Sequence, residues 1–316
     1  MERVGNFKGA LLGLAIGDAL GMPFEGVHPL AIRGILGKKL RFLPSSSPIT
    51  CSLSAGQWTD DTKMMLCHLD SILETGKIAP DDVAKRFIEW YSSGDLRGIG
   101  ITTAQAIGHL MRGASWRESG VQGEYAAGNG AAMRIAPVGL YFAFLNVDMY
   151  PAVYDMSIIT HNNKEAVAGA YAVAYGVARA AVGEFDVERT IDEIVEKLSG
   201  TITGSRIRRA ADMAFDESIT NERAVEFIGC GGYVAESVPL AFFAFLRFEK
   251  DFDNMMLALL GSGGDTDTNA AIAGALFGAR YGVEELPSEL VASVERGDEI
   301  SRKAEELYRM ALLRKR

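Results

Sequence analysis

In the stretches Asp81–Ser93, Val187–Gly200, Ser205–Ser218, Glu222–Gly229 and Pro287–Lys315, apolar residues recur at three- and four-residue spacing with charged residues between them. This is the pattern of helices that bury one face. Strict apolar–polar alternation, which would mark a half-buried strand, is nearly absent. The chain is therefore expected to be all-α, with about a dozen helices, short 3₁₀ turns and at most an incidental hairpin.

Other segments are apolar all round, which places them at the centre of the core. The clearest lies near the N-terminus, where Gly9, Gly13, Gly17 and Gly21 recur every fourth residue and so share one helix face. Each glycine costs a helix about 1 kcal/mol relative to alanine. The stripe makes sense if another backbone comes unusually close, a packing role and not a ligand site. Ala166–Val182, with Ala168, Ala172, Gly176 and Ala180, and Thr268–Tyr281, with Ala270, Gly274 and Gly278, repeat the habit. These small-faced helices are expected to pack together in one dense centre.

No Ser/Pro/Gly-rich or single-sign charged linker divides the 316 residues, so residues 1–316 read as a single domain. Arg41–Gln57 is polar, proline-punctuated and aperiodic, the signature of a long surface loop. No period of 20–50 residues recurs, which disfavours a solenoid. Hydrophobic residues are 48% and charged residues 23% of the chain, enough for a large core and unlike a disordered segment. A net charge of −9 leaves no Lys/Arg stripe for phosphate counterion release, so sequence-independent nucleic-acid binding is not expected. Cys51, Cys67 and Cys230 form no C-x-x-C pair, which argues against a disulfide framework or zinc knuckle and fits a reducing, cytoplasmic setting. The apolar N-terminal run resembles a secretion signal, but Asp18 interrupts it and Glu2 spoils the basic leader. Arg179 breaks the Ala166–Val182 run and "VPLAFFAFL" is short, so no segment is expected to span a bilayer.

The chemistry begins at "GSGGDTDTNAAIAGALFGARYG", from Gly261. Asp after a glycine loop commonly caps a helix, but a cap uses one acid, and here Asp265 and Asp267 stand together. Thr59-Asp60-Asp61-Thr62 repeats the arrangement ahead of another apolar helix. Both openings start helices suited to the core, so their N-termini would lie at one level of the bundle. Glu25 follows the Gly-striped helix where the chain leaves the core. Five unpaired carboxylates brought together would raise each other's pKa, and a cation removes that conflict. Asp, Glu and Thr oxygens without His or Cys suit a hard ion such as Mg²⁺ or Mn²⁺. Five carboxylates exceed the needs of one hydrated ion, which points to a two-metal site about 4 Å across.

His161, in "ITHNNKEAVAGA", precedes a small-faced helix, and a helix N-terminus after Thr160 is expected to let the imidazole hold a phosphate. His28, His68 and His109 read as satisfied structural residues. "GNGAAMR", Gly128–Arg134, is a glycine-rich turn whose backbone N–H groups could approach a pyrophosphate. It has neither the Lys-Ser/Thr ending of a P-loop nor the preceding strand of a Rossmann turn.

Taken in order and spacing, "GALLGLAIGDALGMPFEG", "WTDDT", "GNGAAMR", "THNNKEAVAGA" and "GGDTDTNAAIAGALFGARYG" resemble the ADP-ribosylglycohydrolase family, which includes the dinitrogenase reductase-activating glycohydrolases. The match runs from about Asn6 to about Gly282. The resemblance implies a compact all-α orthogonal helical bundle with two Mg²⁺ or Mn²⁺ ions, cleaving the glycosidic bond between ADP-ribose and a protein or small-molecule acceptor. It implies that Thr59, Asp60, Asp61, Asp265, Asp267 and Thr268 are metal ligands and that Glu25 lies near the metals. Gly128, Asn129, Gly130, Ala131 and Met133 would follow the diphosphate and distal ribose, His161 would meet the phosphate, and Tyr233 would stand nearest the adenosine.

One departure matters. Some members carry an aspartate directly before the "IGxxT" match, where this chain has Gly98. A general-base role there does not transfer, which leaves Glu25 or Asp60 as the catalytic candidates. A dinuclear phosphoester hydrolase and a non-catalytic ADP-ribose-binding or structural member are the alternatives, the latter disfavoured by the retention of both acidic pairs. The acceptor would be read by surface loops, for which Arg41–Gln57 and Asp95–Ile101 are the candidates.

Overall fold

The computed structural model describes residues 3–50 and 52–315, so Glu2 and Cys51 lie outside the described residues. Among the described residues the helices are, in order, α1 (Val4–Gly21), α2 (Pro29–Ile35), α3 (Asp60–Thr75), α4 (Pro80–Ser93), α5 (Ile101–Met111), α6 (Ala136–Phe142), α7 (Tyr150–Ile158) and α8 (Lys164–Ala181). They continue with α9 (Val187–Lys197), α10 (Ile202–Ala214), α11 (Asn221–Ile228), α12 (Val234–Arg247), α13 (Phe252–Gly261), α14 (Thr266–Tyr281), α15 (Ser288–Ser293) and α16 (Gly297–Arg314). The all-α expectation holds. The only strands among the described residues are β1 (Val121–Gln122) and β2 (His161–Asn162), paired in parallel with Val121 opposite His161. They come from loops separated by α6 and α7, so this two-residue parallel pair, where at most an incidental hairpin was expected, is not a hairpin.

The glycine stripe of α1 faces α14. A Cβ added at Gly9, Gly13, Gly17 or Gly21 would collide with the carbonyl oxygens of Gly278, Gly274, Ala270 and Thr266 in turn. Partner numbers fall as those on α1 rise, so the helices are antiparallel, with backbones in contact along four turns. Thr266 Oγ1 donates to Gly21 O at 2.8 Å at one end, and Asn6 Nδ2 donates to Ala279 O at 2.9 Å at the other. Packing this close recovers dispersion contacts that offset the low helix propensity of glycine. It also carries the chain leaving α1, through the 3₁₀ turn Met22–Phe24 to Glu25, to the N-terminus of α14.

By length and composition the Val4–Phe24 segment could cross a membrane, but 94% of its apolar window is buried inside the fold. α8 is the third small-faced helix. It meets α14 and α12 through side chains, with Gly176 making room for Leu276 and Phe242, while its closest backbone approach is to α6, where Gly139 faces Ala174 O. One hydrophobic cluster draws on residues from α1 through α16.

The helical run Pro287–Lys315 is divided. Val294 and Glu295 are not helical, and Arg296 adopts the left-handed region at φ 58°. The break frees Glu295 to donate its N–H to Gly56 O at 2.9 Å and to accept Trp58 Nε1 at 2.8 Å, which anchors the residue before Thr59. The described part of Arg41–Gln57 is a loop as expected, but not wholly a surface one: Ser47 and Thr50 are buried, and Thr50 Oγ1 donates to Met22 O at 2.9 Å.

The helix pairing predicts a contrast between two glycines. Gly13→Ala should destabilise the protein by at least about 2 kcal/mol, because no side chain can give way to the added methyl. Gly34→Ala, whose Cβ would meet nothing within 4 Å, should be neutral or stabilising by about 0.5–1 kcal/mol. Urea unfolding of the two variants checks both signs.

Candidate functional site

The N-terminus of α3 is capped from another helix. Thr59 stands at the N-cap, but its side chain makes no capping bond. Asp18 of α1 accepts instead from the N–H groups of Thr59 at 2.9 Å and Thr62 at 3.0 Å, and from their hydroxyls at 2.8 Å and 2.6 Å. Asp18 is fully buried. Burial raises its pKa, and the bonds from Thr62 and Thr59 pull the other way by favouring the carboxylate. The charge is thus spent on fixing where Asp60 and Asp61 begin their helix.

α14 begins differently. Gly263 and Gly264, with φ of 71° and 73°, turn the chain into the helix, and Asp265 N donates to Cys230 O at 2.9 Å. Asp265 occupies the N-cap position but its carboxylate caps nothing, contrary to the expected cap; its Oδ2 accepts from Asn129 Nδ2 at 2.8 Å. Asp267 Oδ1 takes the N–H of Thr268 at 2.9 Å. Asp265, which caps no amide, lines the cavity.

Two acidic clusters result. Oxygens of Asp18, Asp61 and Asp267 lie within 4.8 Å of one another, and so do oxygens of Glu25, Asp265 and Asp267. Asp267 belongs to both. Burial first, and then the charges of Asp265 and Asp18, push Glu25 up to about 7. Burial also holds Asp60, Asp61 and Asp267 well above the usual carboxylate range, reinforced by Asp18 at Asp60 and Asp61 and by Glu25 at Asp267. Glu25 Oε2 and Asp61 Oδ1 are buried without a hydrogen-bond partner. An all-oxygen set with orphaned acceptors and mutual repulsion fits hard divalent cations, and two clusters sharing one carboxylate fit a pair of them. Asp60, also expected as a ligand, belongs to neither cluster but lines the same cavity as Glu25, Asp61, Asp265 and Asp267.

These carboxylates form the floor of a cavity of about 230 Å³. One wall is Gly98 and Gly100 with Ile101, Thr102 and Thr103 at the start of α5; the other is Gly128–Gly130, Met133 and His161. Gly98 has φ 73°, and a Cβ there would stand 2.8 Å from Thr59 Cβ and 3.0 Å from Asp60 Oδ1. The side chains of Thr59 and Asp60 occupy the place where a side chain would project. Arg97 pins this wall, with Nη1 donating to Glu295 Oε2 at 2.8 Å and the guanidinium 4.7 Å from the Trp58 ring centroid.

His161 is placed otherwise than expected. It lies in β2, and α8 starts at Lys164, where Asn163 Oδ1 takes the N–H groups of Glu165 at 2.8 Å and Ala166 at 3.3 Å. Those helix-start amides are therefore engaged, and the imidazole lies against the glycine turn instead. A Cβ at Gly130 would stand 3.0 Å from His161 Nε2, and one at Gly128 3.3 Å. Burial, with Arg134 nearby, lowers His161 to about 3, so the ring is neutral at ordinary pH.

Glu25, Asp60, Asp61, Gly128, Asn129, Gly130, Met133, His161, Asp265, Asp267 and Thr268 share this cavity, from five separate parts of the chain. Thr59 stands behind it, its hydroxyl proton directed at Asp18. Ala131 is buried in the core. Tyr233 is connected through its backbone, which bridges to Gly128, while its ring lies 5.8 Å from the Arg206 guanidinium and outside the cavity wall. His28 Nδ1 accepts from Leu30 N and His109 Nδ1 meets Ser119 O, both structural roles. His68 departs from expectation, since neither ring nitrogen has a partner and the ring stacks on Phe87.

Sequence reading missed Asp18 as a site residue, along with Thr102 and Thr103. Asp18 had a signal: it is the only acid in an otherwise core-forming helix, and a lone buried charge must be met by donors.

The chain matches the sequence model of the ADP-ribosylglycohydrolase family over residues 2–316. It is 36% identical over 307 residues to an uncharacterized protein of Archaeoglobus fulgidus, with 96% of each chain covered. Identity to the ADP-ribosylarginine hydrolase Tri1 of Pseudomonas putida is 32%, covering 95% of this chain and 77% of that one. Human ADP-ribosylhydrolase ARH3 is 28% identical, with 96% and 93% covered. A solved structure of an ADP-ribosylglycohydrolase-related protein complex aligns with a TM-score of 0.76 at 28% identity, over 98% of this chain and 99% of that one.

The capping role of Asp18 predicts that Asp18→Ala, which leaves two amides and two hydroxyls without their acceptor, lowers stability by about 2–4 kcal/mol. Chemical denaturation measures it, and a Thr62→Val control that removes one of those donors should lose less.

Proposed function

Because this chain belongs to the ADP-ribosylglycohydrolase family, whose activity is the hydrolysis of ADP-ribosyl linkages, we propose that it releases ADP-ribose from an ADP-ribosylated acceptor in a reaction that depends on divalent cations. The observation carrying the reading is the convergence of Glu25, Asp60, Asp61, Asp265 and Asp267 on one cavity whose far wall is a glycine turn with a neutral histidine. Acids at one end suit a polyhydroxylated sugar bound with cations, and donors at the other suit a diphosphate.

Thr59, Asp60, Asp61, Asp265, Asp267 and Thr268 would hold two Mg²⁺ or Mn²⁺ ions. Bound there, the ions would supply Lewis-acid polarisation and offset the clustered negative charge. Thr59 can offer lone pairs because its proton is already given to Asp18. Gly128–Gly130 and His161 bind the diphosphate and so orient the proximal ribose over the acids. Glu25 or Asp60 takes the proton of the attacking water as C1″ passes through an oxocarbenium-like state, which the surrounding carboxylates stabilise. Glu25 suits that task because it lines the cavity with its buried Oε2 unclaimed by any hydrogen-bond donor. Gly98 places no side chain in its part of the wall, so these two acids act without a third at that position.

Asp60→Ala and Asp265→Ala are expected to abolish release of ADP-ribose from a panel of ADP-ribosylated arginine, serine and ester substrates, with the helical circular-dichroism spectrum unchanged. Unaltered turnover in either variant, or liberation of phosphate or AMP in place of ADP-ribose, would sink the reading. Mg²⁺ or Mn²⁺ at a hundredfold excess over its dissociation constant should stabilise the wild type by about 2.7 kcal/mol, read as a rise in melting temperature that EDTA reverses.

A further inference from the structure

Arg134 closes the "GNGAAMR" turn and is fully buried. Its bonds go to neutral acceptors: Nη1 donates to Gly130 O at 2.6 Å, and Nη2 donates to Thr160 Oγ1 at 2.8 Å and Met156 O at 3.3 Å. The guanidinium lies 5.2 Å from the Phe87 ring centroid. A guanidinium has only donors, so the Thr160 hydroxyl must act as acceptor towards it. That hydroxyl has one proton left to give. Thr160 is fully buried, and the remaining polar partner of its Oγ1 is His161 Nδ1, at 2.8 Å. The proton is directed at Nδ1, which is therefore the bare nitrogen of the neutral ring. Nε2 then carries the ring proton and faces the cavity wall beside Gly128 and Gly130.

We infer that Arg134 and Thr160 are positioning residues that hold His161 in the Nε2–H tautomer, so that this corner of the cavity offers a hydrogen-bond donor, and not an acceptor, to an anionic ligand oxygen. The identity of that ligand as the ADP-ribose diphosphate rests on the function proposed above; the tautomer does not. The neutral state of the ring at ordinary pH, with burial as its main cause, is what makes the choice of tautomer matter. A ring with the proton on Nδ1 would turn a lone pair towards the anion and repel it. The same guanidinium also holds the Gly130 carbonyl, so one buried side chain ties the glycine turn and the imidazole together.

The test is long-range ¹H–¹⁵N correlation of the histidine rings in ligand-free protein, with His161→Asn used only to identify the resonance that disappears. The expected wild-type pattern near pH 7 has a protonated Nε2 and a bare Nδ1. Thr160→Val removes the hydroxyl at nearly constant shape and should shift the ring to a mixture or to the Nδ1–H form. It should also weaken ADP-ribose binding about tenfold, the scale of one hydrogen bond to a charged group. Thr160→Ser should keep both wild-type properties, which a purely packing role for Thr160 would not require. A wild-type Nδ1–H or imidazolium pattern, or a Thr160→Val ring that keeps the wild-type pattern, overturns the inference. If Thr160→Val does not fold, the wild-type spectrum alone decides. An Nε2–H ring in a protein that binds no ADP-ribose would overturn the proposed ligand and leave the tautomer assignment standing.

Discussion

The backbone contact between α1 and α14 is the constraint on which the rest depends. Four glycines on one helix and their small partners on the other bring main chains together where side chains would hold them apart. The geometry of that contact sets the chemistry. Because the pair is antiparallel, the C-terminal end of α1 meets the N-terminal end of α14, so Glu25 and Asp18 are delivered to Asp265 and Asp267. A wider helix pair, at ordinary interaxial distance, would separate these carboxylates by several ångströms.

The second requirement is that α3 arrive at the same level. Asp18 achieves this with five hydrogen bonds to Thr59 and Thr62, so a charged group in the core registers one helix against another. Its position is energetically costly, since burial disfavours the ion, and the bonds from both threonines offset that cost. Glu25, Asp60, Asp61 and Asp267 are held by fewer bonds than Asp18. Their raised pKa values are the electrostatic measure of acids buried together against repulsion. The opposite wall is neutral by contrast: His161 is uncharged, and the buried cation behind it, Arg134, is turned towards neutral acceptors.

Much of this was legible in the sequence, for identifiable reasons. A four-residue glycine period has few explanations besides close helix packing, and paired acids at two helix starts are more than capping needs. The all-oxygen make-up of the clustered acids is the kind that suits a hard divalent cation. What escaped reading lay in relations between distant segments. Asp18 stood out only as a flaw in an apolar run, because its partners Thr59 and Thr62 are more than forty positions away. His161 was expected at a helix start, whereas Asn163 takes that role and leaves the histidine in a bridge with Val121. Asp265 was expected to cap, and the folded chain instead turns its carboxylate to Asn129 and the cavity.

By itself the sequence determined which residues form helices, which helix faces are small enough for backbone contact, and which acids stand at helix starts. These are local properties of spacing and side-chain size. Only the tertiary structure decided which helix the glycine stripe meets, in which direction, and hence which acids share an oxygen cluster. It also decided that a cap for α3 comes from α1 and that the His161 ring meets the Thr160 hydroxyl. Those outcomes depend on distances between residues far apart in the chain. Hydrogen bonds and charge–charge repulsion act through such distances, and no local pattern encodes them.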